Sequence, residues 1–129
     1  MNKLEFIEKL DSLNLDKNRY CVIAGGMMLL RGLRKETADI DIKIRPDYFD
    51  ELKTRFDFKK SPKYPYLYNI SDDIEVAVLD YDDDDTEIVD GRRTESPEML
   101  LKWMLDHNRP KDQEKIRILQ SFIDSKKSV

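Results

Sequence analysis

Asp39 and Asp41 alternate with isoleucines in the run ADIDIKI, and a third acid, Glu75, interrupts another apolar run, DIEVAVLD. Aspartate is a poor strand former, so two of them at alternate positions of an otherwise β-favouring run need a reason. Alternate strand positions point the same way, roughly 6–7 Å apart, which lets two carboxylates converge on a divalent ion. Glu75, on a separate strand, could complete a three-carboxylate cluster. No histidine or cysteine accompanies these acids, and an all-oxygen donor set favours Mg²⁺ or Mn²⁺ over zinc. Upstream, Gly25 and Gly26 lie between an apolar run, YCVIA, and a helix-forming one, MMLLRGLR. Bare backbone N–H groups at such a strand-to-helix turn, beside the positive end of a helix dipole, suit a phosphate. Neither the P-loop spacing nor the dinucleotide-binding glycine fingerprint is present. On its own the glycine pair reads as an ordinary tight turn, and the phosphate reading depends on the acids that follow it.

Periodicity supplies the elements that must position these groups. Leu4, Ile7, Leu10 and Leu13 recur at helical spacing and predict an amphipathic helix over residues 3–14. YCVIA reads as a short buried strand that stops at Gly25, and MMLLRGLR as the helix after it, with Gly32 tolerated. DIDIKI alternates strictly, with Ile40, Ile42 and Ile44 on one face and Asp39, Asp41 and Lys43 on the other. Pro46 closes that strand and opens a helix in PDYFDELKTRF, whose acidic first turn suits the dipole. Two more strands are expected at YLYNI and DIEVAVLD, divided by Ser71, Asp72 and Asp73. In the second of them Ile74, Val76 and Val78 share one face, and Glu75 lies on the other with Ala77. A short strand at TEIV precedes Ser96 and Pro97, an N-cap and first helical residue for EMLLKWMLDHN. Pro110 opens a last helix with Ile116, Leu119 and Ile123 at helical spacing.

A chain of 129 residues suffices for one domain with a single core, so residues 1–129 are expected to form one unit. It comprises the N-terminal helix, a core over 20–90 and C-terminal helices over 97–125. The expected class is α+β, a small mixed sheet flanked by helices. Apolar residues at 40% and charged residues at 39% fit a well-solvated globular chain. A net charge of only −4 excludes a polyanion binder that works through overall charge, so nucleic acid would have to meet a local basic patch. Cys21, the one cysteine, cannot form an internal disulfide. Nothing reads as a signal peptide or a membrane span, and a cytoplasmic protein is expected.

Strand, Gly-Gly, helix, Asp-Ile-Asp on a strand and a single acid on a later strand together resemble the polymerase-beta-like nucleotidyltransferase superfamily. The stretch AGGMMLLRGLRKETADIDIKI is similar to its minimal branch, which includes abortive-infection toxins and small antibiotic nucleotidyltransferases. SPEMLLKWMLDHNRPKDQEKIRIL is similar to a downstream segment of that branch, and the resemblance covers about residues 20–119. Two residues depart from the pattern: Gly26 stands where many relatives have Ser, and Glu75 where Asp is commoner. The resemblance implies transfer of a nucleoside monophosphate from a nucleoside triphosphate, such as ATP, to an acceptor hydroxyl, with pyrophosphate released. It implies that Asp39 and Asp41 hold two Mg²⁺ (or Mn²⁺) ions and that Glu75 binds the ion nearer the acceptor and takes its proton. Gly25 and Gly26 would clamp the triphosphate. Arg34, Lys43 and Lys102 become candidates for balancing phosphate charge, and Thr37 for a hydroxyl contact, although such basic residues are common on any surface. The acceptor stays open: a transfer RNA end, an antibiotic or other small-molecule hydroxyl, or a protein side chain. The competing expectation is an inactive or regulatory binding protein on the same fold, such as a toxin–antitoxin or phage-defence partner.

Other conspicuous residues take plainer readings. In DYDDDDTEIVDG, Asp85 stands where an EF-hand needs glycine and Gly91 where it needs a bidentate glutamate, so the run reads as a solvated acidic loop. His107 is an ordinary helix-end histidine, and Trp103, Met27 and Met28 read as core. If Glu75 is not the third acid, Asp73 and Asp80, at the two ends of the same strand, are the alternatives.

Overall fold

The computed structural model describes residues 1–127. Helix α1 (Lys3–Ser12) starts at a capping box in which the Asn2 side chain accepts from the Glu5 N–H and the Glu5 carboxylate from the Asn2 N–H. It lays Phe6 and Leu10 into the core and ends short of the expected residue 14, because Asn14 turns to φ 51°. Strand β1 (Tyr20–Val22) runs into helix α2 (Ala24–Leu30), followed by β2 (Ile40–Ile44) and α3 (Pro46–Leu52). A short β3 (Lys59–Lys60), then β4 (Leu67–Ser71), β5 (Ile74–Val78), β6 (Thr86–Val89) and β7 (Arg92–Glu95) complete the strands. Helix α4 (Pro97–His107) is capped by the Ser96 hydroxyl and stopped by left-handed Asn108. Pro110–Asp112 forms one 3₁₀ turn, so the last helix, α5 (Gln113–Lys127), begins three residues later than Pro110 suggested.

The strands form one mixed sheet in the order β3-β4-β5-β2-β1-β7-β6, with β2 in the middle. Strand β2 pairs antiparallel with β1 and parallel with β5, and β1 pairs parallel with β7. The expected α+β class is the observed one. Alternation in β2 holds: its three isoleucines are buried, and Asp41 and Lys43 between them are half-exposed. Val22, Ile40, Ile42, Ile44 and Val76 meet Phe6 of α1, Met27 of α2, Phe49 of α3, Leu100 of α4 and Leu119 of α5 in one core cluster. Burying each such side chain contributes about 1.5–3 kcal/mol, so the core face fixes the register of β2 and thereby the direction of its acids. Among the described residues no helix is long and apolar enough to cross a membrane.

Candidate active site

Asp41 and Glu75 are direct partners across the parallel β2–β5 ladder, on the face opposite the core. Burial pushes the Asp41 carboxyl up to about 7, helped by the charge of Glu75, a hydrogen bond shared with Glu75 and the charge of Asp39; only Lys63 opposes the shift. Lys63, from the loop between β3 and β4, donates to Glu75 Oε1 at 2.8 Å. Asp39 lies exposed one residue before β2, where its carbonyl accepts from the Thr37 hydroxyl at 3.5 Å. The alternative third acids are engaged elsewhere. Asp73 pairs with Lys9 and accepts from Ser71, and Asp80 takes a hydrogen bond from Arg45 at 3.0 Å.

The glycine pair lies just past the strand-to-helix turn in which it was expected. Both glycines sit in the first turn of α2, and the left-handed residue of the bend is Ala24, at φ 57°. The Ile23 N–H donates to the Asp41 carbonyl at 3.0 Å, which ties the bend to the acid strand. Gly26 is buried, and a Cβ there would come within 2.5 Å of Phe6 Cζ and 3.0 Å of Val22 Cγ1. Core packing therefore excludes a side chain at Gly26. Gly25 differs: its Cβ would meet Thr37 Oγ1 at 2.8 Å and Arg34 Nη1 at 2.9 Å. Three of the expected residues, Gly25, Arg34 and Thr37, are thus brought together. Thr37 is held in place by a two-way backbone bridge with Met1.

All the donors at the acid pair are oxygens, and the structure forces two of them together at the expense of their ionisation. A divalent cation between them would relieve that repulsion, so the donor set fits Mg²⁺ or Mn²⁺. Among the described residues, no three His, Cys, Asp or Glu side chains are gathered closely enough to hold a metal as they stand. A three-carboxylate set would need side-chain rotation. The raised Asp41 pKa also has a stability consequence. The folded chain keeps this proton up to about pH 7, whereas the unfolded chain releases it near 3.8, so the stabilisation is complete below the lower value and lost as pH rises through the higher one. Metal-free protein is expected to lose on the order of a few kcal/mol over that window, and Asp41→Asn to flatten the loss. Melting curves in a chelator between about pH 4 and 8 decide it; equal pH slopes for the two proteins would rule out the shared proton.

No protein-family model matches the chain, and no curated protein matches it. Among solved structures the chain is similar to an aminoglycoside nucleotidyltransferase, ANT(2″)-Ia, determined in complex with adenylyl-2″-tobramycin. The TM-score is 0.61 at 16% identity, over 95% of this chain and 87% of the other. The chain has a nucleotidyltransferase fold.

Within this nucleotidyltransferase fold, two more of the expected basic residues lie on β2 and α4. Lys43 shares the site face but lines a separate cavity of about 270 Å³ with Cys21, Tyr81, Thr86, Glu95 and Met99. Lys102 is exposed on α4 and takes no part in an ion pair among the described residues. Burial drives the Cys21 thiol up to about 12, so it is inert. Trp103 packs against the core with His107 stacked on it, ring centroids 3.8 Å apart, and Arg109 over its ring at 4.7 Å. The acidic run is a solvated 3₁₀ turn, Asp83–Asp85, with Arg45 bridging Asp80 and Asp83. Lys63, at the acid pair, and Glu95, in the neighbouring cavity, escape sequence reasoning. Lys63 sits in a loop without periodicity. Glu95 closes a charged strand, where burial raises its pKa while the Lys43 charge and the Ala24 N–H oppose the shift.

Proposed function

We propose that the chain transfers a nucleoside monophosphate from a nucleoside triphosphate to an acceptor hydroxyl. The observation that carries this reading is the in-register pairing of Asp41 with Glu75, beside a bend where Arg34 and Thr37 close on Gly25. Asp39, Asp41 and Glu75 would hold two Mg²⁺ or Mn²⁺ ions, with Asp39 and Glu75 turning toward Asp41. Such ions, when bound, neutralise triphosphate charge and acidify the acceptor hydroxyl. Glu75 then takes the proton as the acceptor oxygen bonds to the α-phosphorus and the bond to the pyrophosphate oxygen breaks. Arg34 and the Thr37 hydroxyl face the phosphate chain, and the Ile23–Asp41 backbone hydrogen bond keeps the two halves of the site in register. The ligand of the similar enzyme, adenylyl-2″-tobramycin, supports a small-molecule hydroxyl as the first acceptor class to try, ahead of an RNA end or a protein side chain.

A regulatory protein on the same fold is the second reading, favoured by Lys63, whose ammonium sits on Glu75 where a cation would go. Glu75→Gln separates the two. Under transfer, the variant keeps nucleotide affinity within about tenfold but loses on the order of 100-fold or more in rate, the scale for removing a general base. A variant that transfers the label of an α-labelled triphosphate as fast as the native protein would remove Glu75 from the chemistry.

A further inference from the structure

The loop between β3 and β4 reaches from the acid pair to helix α4 and is fastened at both. The Lys63 ammonium donates to Glu75 Oε1 at 2.8 Å, with the lysine side chain 63% exposed and the glutamate 17%. The next residue, Tyr64, stacks on Tyr66 with ring centroids 5.4 Å apart and meets the edge of the His107 ring at 6.3 Å. His107 lies on Trp103 and donates Nδ1 to the Trp103 carbonyl at 2.8 Å. Arg109, which donates to the buried Asp112 at 2.6 Å, covers the Trp103 ring. The end of α4 is thus a braced aromatic block against which the loop rests. Its hinges are equally defined. Ser61 and Leu67 are buried and joined by the Ser61 N–H to Leu67 carbonyl bond at 2.9 Å, and the Tyr66 carbonyl accepts from the Val78 N–H at 2.9 Å. Between the hinges Pro62, Lys63 and Pro65 are exposed, and the two prolines have no N–H to tie them down. A segment with so few backbone bonds opens at low cost.

We propose that this loop is a latch on the acid pair: Lys63 fills the cation position at Glu75 while the site is empty, and a divalent ion displaces it and lifts residues 62–65 off α4. The inference rests on the metal site of the nucleotidyl-transfer reading and adds a conformational step to it. An ion held by a carboxylate oxygen at about 2.0–2.1 Å would stand close beside an ammonium bound to the same carboxylate, and the two positive charges repel. The lysine yields because its pair is largely open to water, where such pairs contribute little, whereas the ion gains Asp41 as well as Glu75. With Lys63 released, the ring contacts of Tyr64 are all that hold the exposed stretch down. Opening of the loop is thereby a consequence of loading the site, and the empty site keeps its two neighbouring carboxylates under a cation of its own.

Trp103 is the one tryptophan of the chain, so its emission reads the latch. Titrating the native protein with Mg²⁺ is expected to shift that emission and to speed tryptic cleavage after Lys63 severalfold. In Lys63→Met the metal-free emission already matches that of the loaded native protein, and Mn²⁺ affinity, read by electron paramagnetic resonance, rises about fivefold, the upper end for losing an exposed ion pair. Lys63→Arg restores the native affinity, and Lys60→Met, at an exposed lysine on β3, behaves as native. Melting curves establish that each variant is folded. Mn²⁺ affinity that is unchanged or lower in Lys63→Met, or a gain in affinity with no change in Trp103 emission, overturns the latch while leaving nucleotidyl transfer standing. A native protein that binds no Mn²⁺ overturns the latch and the metal site together.

Discussion

Replacing Asp39 and Asp41 together by asparagine is expected to reduce Mn²⁺ affinity on the order of 100-fold or more, because the change removes two of the proposed direct ligands rather than their support. Asp41 contributes most. Its carboxyl is buried against Glu75 and holds a proton up to about pH 7, so a cation gains by displacing that proton and by relieving the repulsion. Asparagine keeps the shape and loses the charge, so the strand, whose core side is set by three buried isoleucines, stays folded. Electron paramagnetic resonance of Mn²⁺ reads the free ion directly. Identical titrations for native and doubly substituted protein would remove the metal site from the account.

Gly26→Val carries the largest stability effect. A Cβ at Gly26 meets Phe6 at 2.5 Å, and valine adds two methyl groups to a space that α1 and β1 already fill. Overpacking of this kind costs about 1–3 kcal/mol, and more where backbone must move. Here the obstacle is a fully buried ring, so about 3 kcal/mol is expected, a fall of roughly 10 °C in melting temperature for a chain of this size. Nucleotide affinity per folded molecule should be unchanged. Native-like melting with lost triphosphate binding would reverse the assignment and put phosphate, not Phe6, against Gly26.

Strand β2 was legible in the sequence because one physical rule governs it: alternation between a buried and an open face forces Asp41 and Lys43 out when Ile40, Ile42 and Ile44 go in. The place of Gly26 was not, since what excludes its side chain is Phe6, which reaches it only through tertiary packing. Strand β7 was hidden for a related reason. Its inward residues are Arg92 and Thr94, buried polar groups that show no apolar period. They are tolerated because Arg92 pairs with Asp11 at 2.5 Å and the Thr94 hydroxyl donates to the Glu87 carbonyl at 2.9 Å. Arg34 and Thr37 were named by resemblance alone, and their meeting with Gly25 depends on the loop between α2 and β2, which carries no periodic signal. Lys63 follows the same logic: it reaches the acid pair from a distant part of the chain.

The central claim, nucleotidyl transfer, is tested most directly by following an α-phosphate label. The protein is incubated with Mg²⁺, each α-labelled nucleoside triphosphate in turn, and either a hydroxyl-rich aminoglycoside or a cell extract. Label should move to a new acceptor, with an equal amount of pyrophosphate released, and Asp41→Asn should abolish both. Label that stays on the nucleotide in every mixture, with protein shown to bind Mn²⁺ and triphosphate, would contradict transfer and leave a nucleotide-binding regulator in its place.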